Sequence, residues 1–121
     1  MKEKLNEYFH RSEFACKCGC GFRTVDNELL EVLWDIREHF KKPVIINSGC
    51  RCIFHNTRIK GSMRSKHVFA CAADIEVIFT LPIEIYNYVD KHHPDEYGLG
   101  LHDDFLHLDI RSTKWREKYV D

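Results

Sequence analysis

Two short segments that lie far apart in the chain, and that each carry potential metal ligands, place the strongest constraint on the fold. The first, residues 65–74, contains His67 and Asp74 with small residues between them. The second, residues 104–111, contains His107. A catalytic zinc usually takes three protein ligands plus a water, and both His and Asp are good zinc ligands. A fold that joins the two segments could therefore hold one Zn²⁺ through His67, Asp74 and His107.

Two carboxylates in the second segment are candidates for the acid or base beside such a metal. Asp109 is two residues from His107, and strand side chains repeat every two residues, so the two should share one face of a strand. Asp104 is three residues before His107 and would share its face only if a turn extended through Asp104. Without further context, His67 and His107 could equally be surface or hydrogen-bonded core histidines.

Four motifs follow one another along the chain. They are Glu13-Phe14-Ala15-Cys16, Asn47-Ser48-Gly49-Cys50-Arg51 with His55-Asn56, Ser65-Lys66-His67-Val68-Phe69-Ala70-Cys71-Ala72-Ala73-Asp74, and His107-Leu108-Asp109. In this order they resemble the D-Ala-D-Ala carboxypeptidase family of zinc peptidases. That family includes bacterial carboxypeptidases and phage L-alanyl-D-glutamate endopeptidases, and it shares its fold with the Hedgehog signalling domain. Ala70 and Cys50 depart from the pattern, since the family has Gly and Tyr there.

The resemblance implies that His67, Asp74 and His107 bind one Zn²⁺. It also implies that Asp104 is the general base, because members of the family place Glu or Asp three residues before the last histidine ligand. A carboxylate there takes a proton from the attacking water and returns it to the leaving amine. Asp103 and His102 are the rivals for this role.

Two further roles, those of Arg51 and Ser65, follow from the same resemblance, and a third, that of Asp109, follows from its place on the same strand face as His107. Arg51 is predicted to bind the scissile carbonyl or a peptide carboxylate and to stabilise developing negative charge. Ser65 is predicted to hydrogen-bond the substrate, although it could instead cap the segment that follows it. Asp109 is predicted to orient the imidazole of a metal ligand.

The predicted function is hydrolysis of an amide bond in the peptide stems of peptidoglycan, in cell-wall turnover or phage-type lysis. Endopeptidase and carboxypeptidase members share these motifs, so the bond that is cleaved stays open. One alternative is a catalytically silent, zinc-containing binding module of the same fold. Another is a structural protein whose zinc is held by cysteines. The six cysteines, which could also be ordinary reduced thiols, are Cys16, Cys18, Cys20, Cys50, Cys52 and Cys71.

Composition narrows the class of protein. A chain of 121 residues is expected to form a single domain, residues 1–121, and we expect a monomer. Eighteen basic and nineteen acidic residues give no basic excess, which argues against nucleic acid as a partner. No apolar run reaches the length of a membrane span. The polar start carries no secretory signal, so we expect the chain to be cytoplasmic as synthesised and to act on the wall after release.

Hydrophobic periodicity predicts an α+β fold, with a small, mostly antiparallel sheet flanked by helices, of the Hedgehog/D-Ala-D-Ala peptidase type. The predicted helices cover residues 27–40 and 82–90, with shorter ones over 1–12 and 52–60. The predicted strands cover 44–47 and 72–78, followed by a hairpin of 97–101 and 105–110 with its turn at 102–103. The last ten residues are polar and have no predicted element.

Overall fold

The computed structural model describes residues 4–15, 26–49 and 71–119, and these form an α+β structure. Its elements, in chain order, are a 3₁₀ turn at Arg11–Phe14, helix α1 at Asn27–Phe40, strand β1 at Val44–Ser48, strand β2 at Ala72–Val77, helix α2 at Pro82–His92, strand β3 at Gly98–His102, strand β4 at Leu106–Asp109 and strand β5 at Trp115–Tyr119. None of the helices in these segments is long and apolar enough to cross a membrane.

Local chemistry explains where α1 begins and ends and where α2 begins. The Asp26 carboxylate caps α1 by accepting hydrogen bonds from the backbone N–H groups of Glu28 and Leu29, at 2.7 and 3.4 Å. Lys41 ends α1 in the left-handed conformation, with φ of 56°, two residues before Pro43. Pro82 occupies the first turn of α2, where its missing N–H costs nothing. The two helices bury apolar side chains at helical spacing: Leu29, Val32, Leu33 and Ile36 in α1, and Ile85, Tyr86 and Val89 in α2.

Within the described residues, the sheet has five strands in the order β1-β2-β4-β3-β5, and its two faces differ in character. One face joins the helices in the hydrophobic core. Its buried strand residues are Val44, Ile46, Ala73, Ile75, Val77, Leu99, Leu101, Leu106 and Leu108. Because side chains alternate along a strand, the intervening residues, including Asp74 and His107, lie on the opposite face. We call this opposite face the polar face.

The sheet is mixed, which corrects the prediction of a small, mostly antiparallel sheet. The pairs β1–β2, β2–β4 and β3–β4 are antiparallel, but β5 lies parallel to β3. Strand β5 comes from the polar C-terminal segment and was not predicted. Its polar side chains have partners on α2: Arg116 forms an ion pair with Asp90, at 2.7 Å, and Lys118 lies over the ring of Tyr86.

The N-terminal segment also differs from its prediction. Instead of a helix, residues 4–10 form a loop closed by a bridge between Lys4 and His10. The side-chain oxygen of Asn6 accepts hydrogen bonds from the backbone N–H groups of Tyr8 and Phe9. Such local hydrogen bonds compete with helix formation. The helix predicted over 52–60 lies outside the described residues.

Candidate active site

Asp74 and His107 meet on the polar face because their strands are neighbours. β2 and β4 run antiparallel, and the Cα atoms of Asp74 and His107 are direct cross-strand partners. The imidazole Nδ1 lies 3.0 Å from Oδ1 of Asp74. Both side chains reach solvent, with 17% of His107 and 21% of Asp74 exposed. Two of the three predicted metal ligands are thus in contact and accessible.

Asp109 holds the other side of the His107 ring. The Nε2 atom of His107 lies 2.9 Å from Oδ2 of Asp109, as expected for two residues on one face of a strand. In contrast to Asp74, Asp109 is completely buried. The imidazole therefore lies between one accessible carboxylate and one that water does not reach.

Arg111 supports Asp109 with a two-pronged ion pair. Its Nε donates to Oδ1 and its Nη2 donates to Oδ2, both at 2.7 Å, and its backbone N–H also donates to Oδ1 at 3.2 Å. The guanidinium lies under the Trp115 ring, 4.6 Å from the ring centroid. Trp115 also meets the His107 ring edge-on, at 6.1 Å between centroids. Sequence reasoning gave no role to Arg111 or to Trp115.

Two glycines in β3 leave room for this cluster. Gly98 is the cross-strand partner of Asp109, and a Cβ atom at Gly98 would lie 2.6 Å from the Asp109 carboxyl carbon. Gly100 is the partner of His107, and a Cβ there would lie 3.3 Å from the His107 Cβ. Glycine inside a strand commonly marks a close approach of other groups, so the Gly98-Leu99-Gly100 pattern was a signal available in the sequence.

The two carboxylates change how His107 titrates. Burial disfavours the charged imidazole, but hydrogen bonds to Asp109 and Asp74 outweigh it and raise the pKa of His107 to about 9. Burial alone would raise the pKa of Asp109, yet hydrogen bonds from His107 and Arg111 hold it well below its usual range. In the absence of metal, the raised pKa of His107 favours a protonated imidazole between Asp74 and Asp109. A metal cation would enter this cluster by displacing a proton.

A stack of three rings borders the site at the end of β3. The ring of His102 stacks on Phe105, at 4.2 Å between centroids, and on Tyr119, at 4.6 Å. Burial lowers the pKa of His102, although the nearby Asp74 opposes this shift. His102 thus belongs to the strand and to an aromatic stack, and not to the turn as predicted.

The β3–β4 turn contains both aspartates that compete for the role of base. The backbone N–H of His102 donates to the carbonyl of Phe105 at 3.1 Å, so Asp103 and Asp104 are the two central turn residues, and both are exposed. The turn therefore includes Asp104, as the assignment of the base required. Asp103 lines a cavity beside Pro82 and Leu101, on the side of the sheet that the helices cover. Which of the two aspartates is the base stays a prediction.

The remaining predicted site residues, His67, Arg51 and Ser65, lie outside the described residues. Within residues 4–15, 26–49 and 71–119, no group of three or more His, Cys, Asp or Glu side chains is arranged to hold a metal ion. The predicted third ligand, His67, belongs to the undescribed range 50–70. Of the six cysteines, only Cys71 is described, and it is half-buried.

Comparison with known protein families assigns the chain to one of them. The sequence model of the family described as Peptidase M15 matches residues 7–109. This range includes Asp74, His107, Asp109 and the whole of 50–70. Neither the curated proteins nor the solved structures give a match. The family match covers most of the chain and includes the paired Asp74 and His107, so the chain belongs to the M15 family of peptidases.

Proposed function

We propose that this protein is a zinc-dependent peptidase that hydrolyses an amide bond in the peptide stems of peptidoglycan. The observation that carries the proposal is the arrangement of His107. Its Nδ1 is directed at the accessible carboxylate of Asp74, while its Nε2 is directed at the buried carboxylate of Asp109. Histidines that bind metals usually donate their second ring N–H to a carboxylate or carbonyl in this manner.

The donor types suit a zinc ion, because zinc in proteins is bound by histidine nitrogen and carboxylate oxygen. Nδ1 of His107 and Oδ1 of Asp74 lie beside each other, 3.0 Å apart, and would supply two of the ligands. His67, from the undescribed range, would be the third ligand. Two neutral imidazoles and one carboxylate leave a net charge of about plus one, which suits activation of water.

Each protein group then has a distinct task in hydrolysis. When bound, zinc acts as a Lewis acid and lowers the pKa of water to about 7. Asp104, in the exposed turn, accepts a proton from the attacking water and delivers it to the leaving amine nitrogen. Arg51 binds the carbonyl oxygen or a terminal carboxylate and stabilises the negative charge that develops during attack. Ser65 hydrogen-bonds the substrate, and Asp109 keeps the His107 ring in place.

The substrate class rests on the resemblance to carboxypeptidases and endopeptidases of the bacterial cell wall. The proposal can be tested with purified protein, Zn²⁺ and a panel of peptidoglycan fragments that differ in stem length and composition. Mass spectrometry should show a shortened stem or a new free amine. A chelator should abolish the product, and added Zn²⁺ should restore it. No new product from any stem type would overturn the proposal.

Zinc stoichiometry with thiol titration separates the alternatives. A peptidase site predicts one zinc per chain with thiols that titrate freely. A zinc that protects four thiols would indicate the cysteine-bound structural site. One zinc at His67, Asp74 and His107 without turnover on any fragment would indicate a silent binding module.

A further inference from the structure

We infer that Arg111 is a positioning residue for the metal site, acting on His107 through Asp109. The inference rests on the proposed function and adds to it a residue that neither the motifs nor the family pattern pointed out. The hydrogen bonds that Arg111 makes in the described structure are to Asp109 and not to the His107 ring. Its influence would pass through the one carboxylate that both side chains share.

The argument begins with how the oxygens of Asp109 are used. Oδ1 accepts the side-chain Nε–H and the backbone N–H of Arg111, and Oδ2 accepts the Nη2–H of Arg111 and faces Nε2 of His107. Four contacts saturate the carboxylate, and three of them come from Arg111. The planar fork fixes the carboxylate plane, because a rotation that improved one Arg111 bond would break the other.

A fixed carboxylate in turn fixes the His107 ring. With Oδ2 held in place, Nε2 of His107 faces Asp109 and Nδ1 faces Asp74, so a neutral ring with its N–H on Nε2 would offer Nδ1 to a metal. Trp115 covers the guanidinium, and Gly98 leaves the space that Asp109 occupies. A lysine at position 111 would retain the charge but would present a single donor centre without the planar fork. The geometry of the fork, more than its charge, is therefore what the metal site requires.

The test measures metal binding by the folded protein, separately from stability. Zinc affinity of the wild type, Arg111→Lys and Arg111→Gln is determined by competition with a chromogenic chelator, under conditions where circular dichroism shows each protein folded. We expect both variants to bind zinc about 10–100-fold more weakly, the usual effect of losing an outer partner of a metal ligand. The visible spectrum of the Co²⁺-loaded proteins should also change in shape, because it reports ligand geometry.

Arg116 provides the matched control. It too is a largely buried arginine in an ion pair, with Nε 2.7 Å from Oδ1 of Asp90, but it lies on the helix side of the sheet. Arg116→Lys should lower the unfolding temperature while leaving zinc affinity and the Co²⁺ spectrum unchanged. A purely structural role for Arg111 predicts that result for Arg111→Lys as well.

The outcomes separate the two proposals. Wild-type zinc affinity and an unaltered Co²⁺ spectrum in folded Arg111→Lys overturn the role of Arg111 and leave the proposed peptidase intact. A wild-type protein that binds no zinc overturns both. If Arg111→Gln does not fold, Arg111→Lys, which keeps the charge beside Asp109, still decides the question.

Discussion

Gly98 lies directly opposite Asp109, and the absence of a side chain at Gly98 is what allows the Asp109 carboxylate to be buried. A Cβ at this position would lie 2.6 Å from the carboxyl carbon, a separation at which one of the two groups must move. Asp109 is held by His107 and Arg111, so it cannot move without breaking those contacts. The two β3 glycines therefore differ in what they can tolerate.

Gly98→Ala should destabilise the protein by about 2–3 kcal/mol, towards the upper end of the roughly 1–3 kcal/mol that overpacking a filled site usually costs. Gly100→Ala is the matched substitution. Its Cβ would lie 3.3 Å from the His107 Cβ and 3.5 Å from Trp115, so a small shift suffices, and we expect a loss under about 1 kcal/mol. Urea denaturation measures both. Equal losses would mean that the space opposite Asp109 has no special importance.

His107→Ala should abolish the stabilisation of the protein by zinc. A ligand at 100 times its Kd stabilises the folded state by about 2.7 kcal/mol, and this gain should vanish with the ligand residue. Unfolding temperatures with and without Zn²⁺ measure the effect. His92, an exposed histidine at the end of α2, is the control, and His92→Ala should keep the zinc-dependent increase. An undiminished increase in His107→Ala would remove His107 from the ligand set.

Asp104→Asn should retain zinc and the fold but lose about 10²–10⁴-fold in rate, the usual contribution of general acid–base catalysis. Asp103→Asn changes the neighbouring turn residue in the same way and should have little effect, because Asp103 lies towards α2. Product formation and bound zinc are measured together. Loss of turnover in Asp103→Asn alone would assign the base to Asp103, and loss of zinc in Asp104→Asn would make Asp104 a ligand.

Asp109→Asn should weaken zinc binding about 10–100-fold without abolishing it. It should also destabilise the fold by about 3 kcal/mol, because the largely buried guanidinium of Arg111 loses its charged partner. Asp90→Asn breaks the corresponding pair with Arg116 at a more exposed site, so a smaller loss of stability and no change in zinc binding are expected. Chelator competition and urea denaturation distinguish the two effects. Identical zinc affinity in Asp109→Asn and the wild type would contradict the role of Asp109.

Tyr88 should make the stability of the protein sensitive to alkaline pH. Burial and a 2.7 Å hydrogen bond to Asp35, which joins α2 to α1, raise the pKa of Tyr88 to about 12 from its ordinary value of 10. The folded state thus favours the neutral phenol, and this stabilisation is complete below pH 10 and lost as pH rises towards 12. Tyr88→Phe should therefore cost more stability at pH 9 than at pH 12. A pH-independent difference between the two proteins would rule this linkage out.

Much of the site follows from local rules that the sequence displays. Alternation along a strand was enough to place Asp109 beside His107. The turn was predicted at residues 102–103, whereas Asp103 and Asp104 are the central turn residues in the structure. Pairing of β2 with β4 then brought Asp74 to His107. The period of a strand can be read from the spacing of apolar residues, whereas the pairing of β2 with β4 was not predicted from it.

The parts that sequence reasoning missed depend on contacts between distant residues. Strand β5 has no apolar alternation, because one side faces the polar site and Arg116 and Lys118 cover the other with charged side chains. Arg111 resembles any surface arginine until Asp109, two residues before it, is known to be buried. The propensities of single residues predict neither strand β5 nor the burial of Asp109, because both depend on which strands lie side by side.

The strand order has a consequence for how the nascent chain folds on the ribosome. The central strand β4 is synthesised after β1, β2, α2 and β3, so β2 has an unpaired edge until residues 106–109 emerge. Until then the pair of Asp74 and His107 cannot form, and a fragment that stops before Leu106 lacks this pair altogether. An unpaired strand edge invites association with other chains. The period before β4 pairs with β2 is therefore when association through this edge is most favoured.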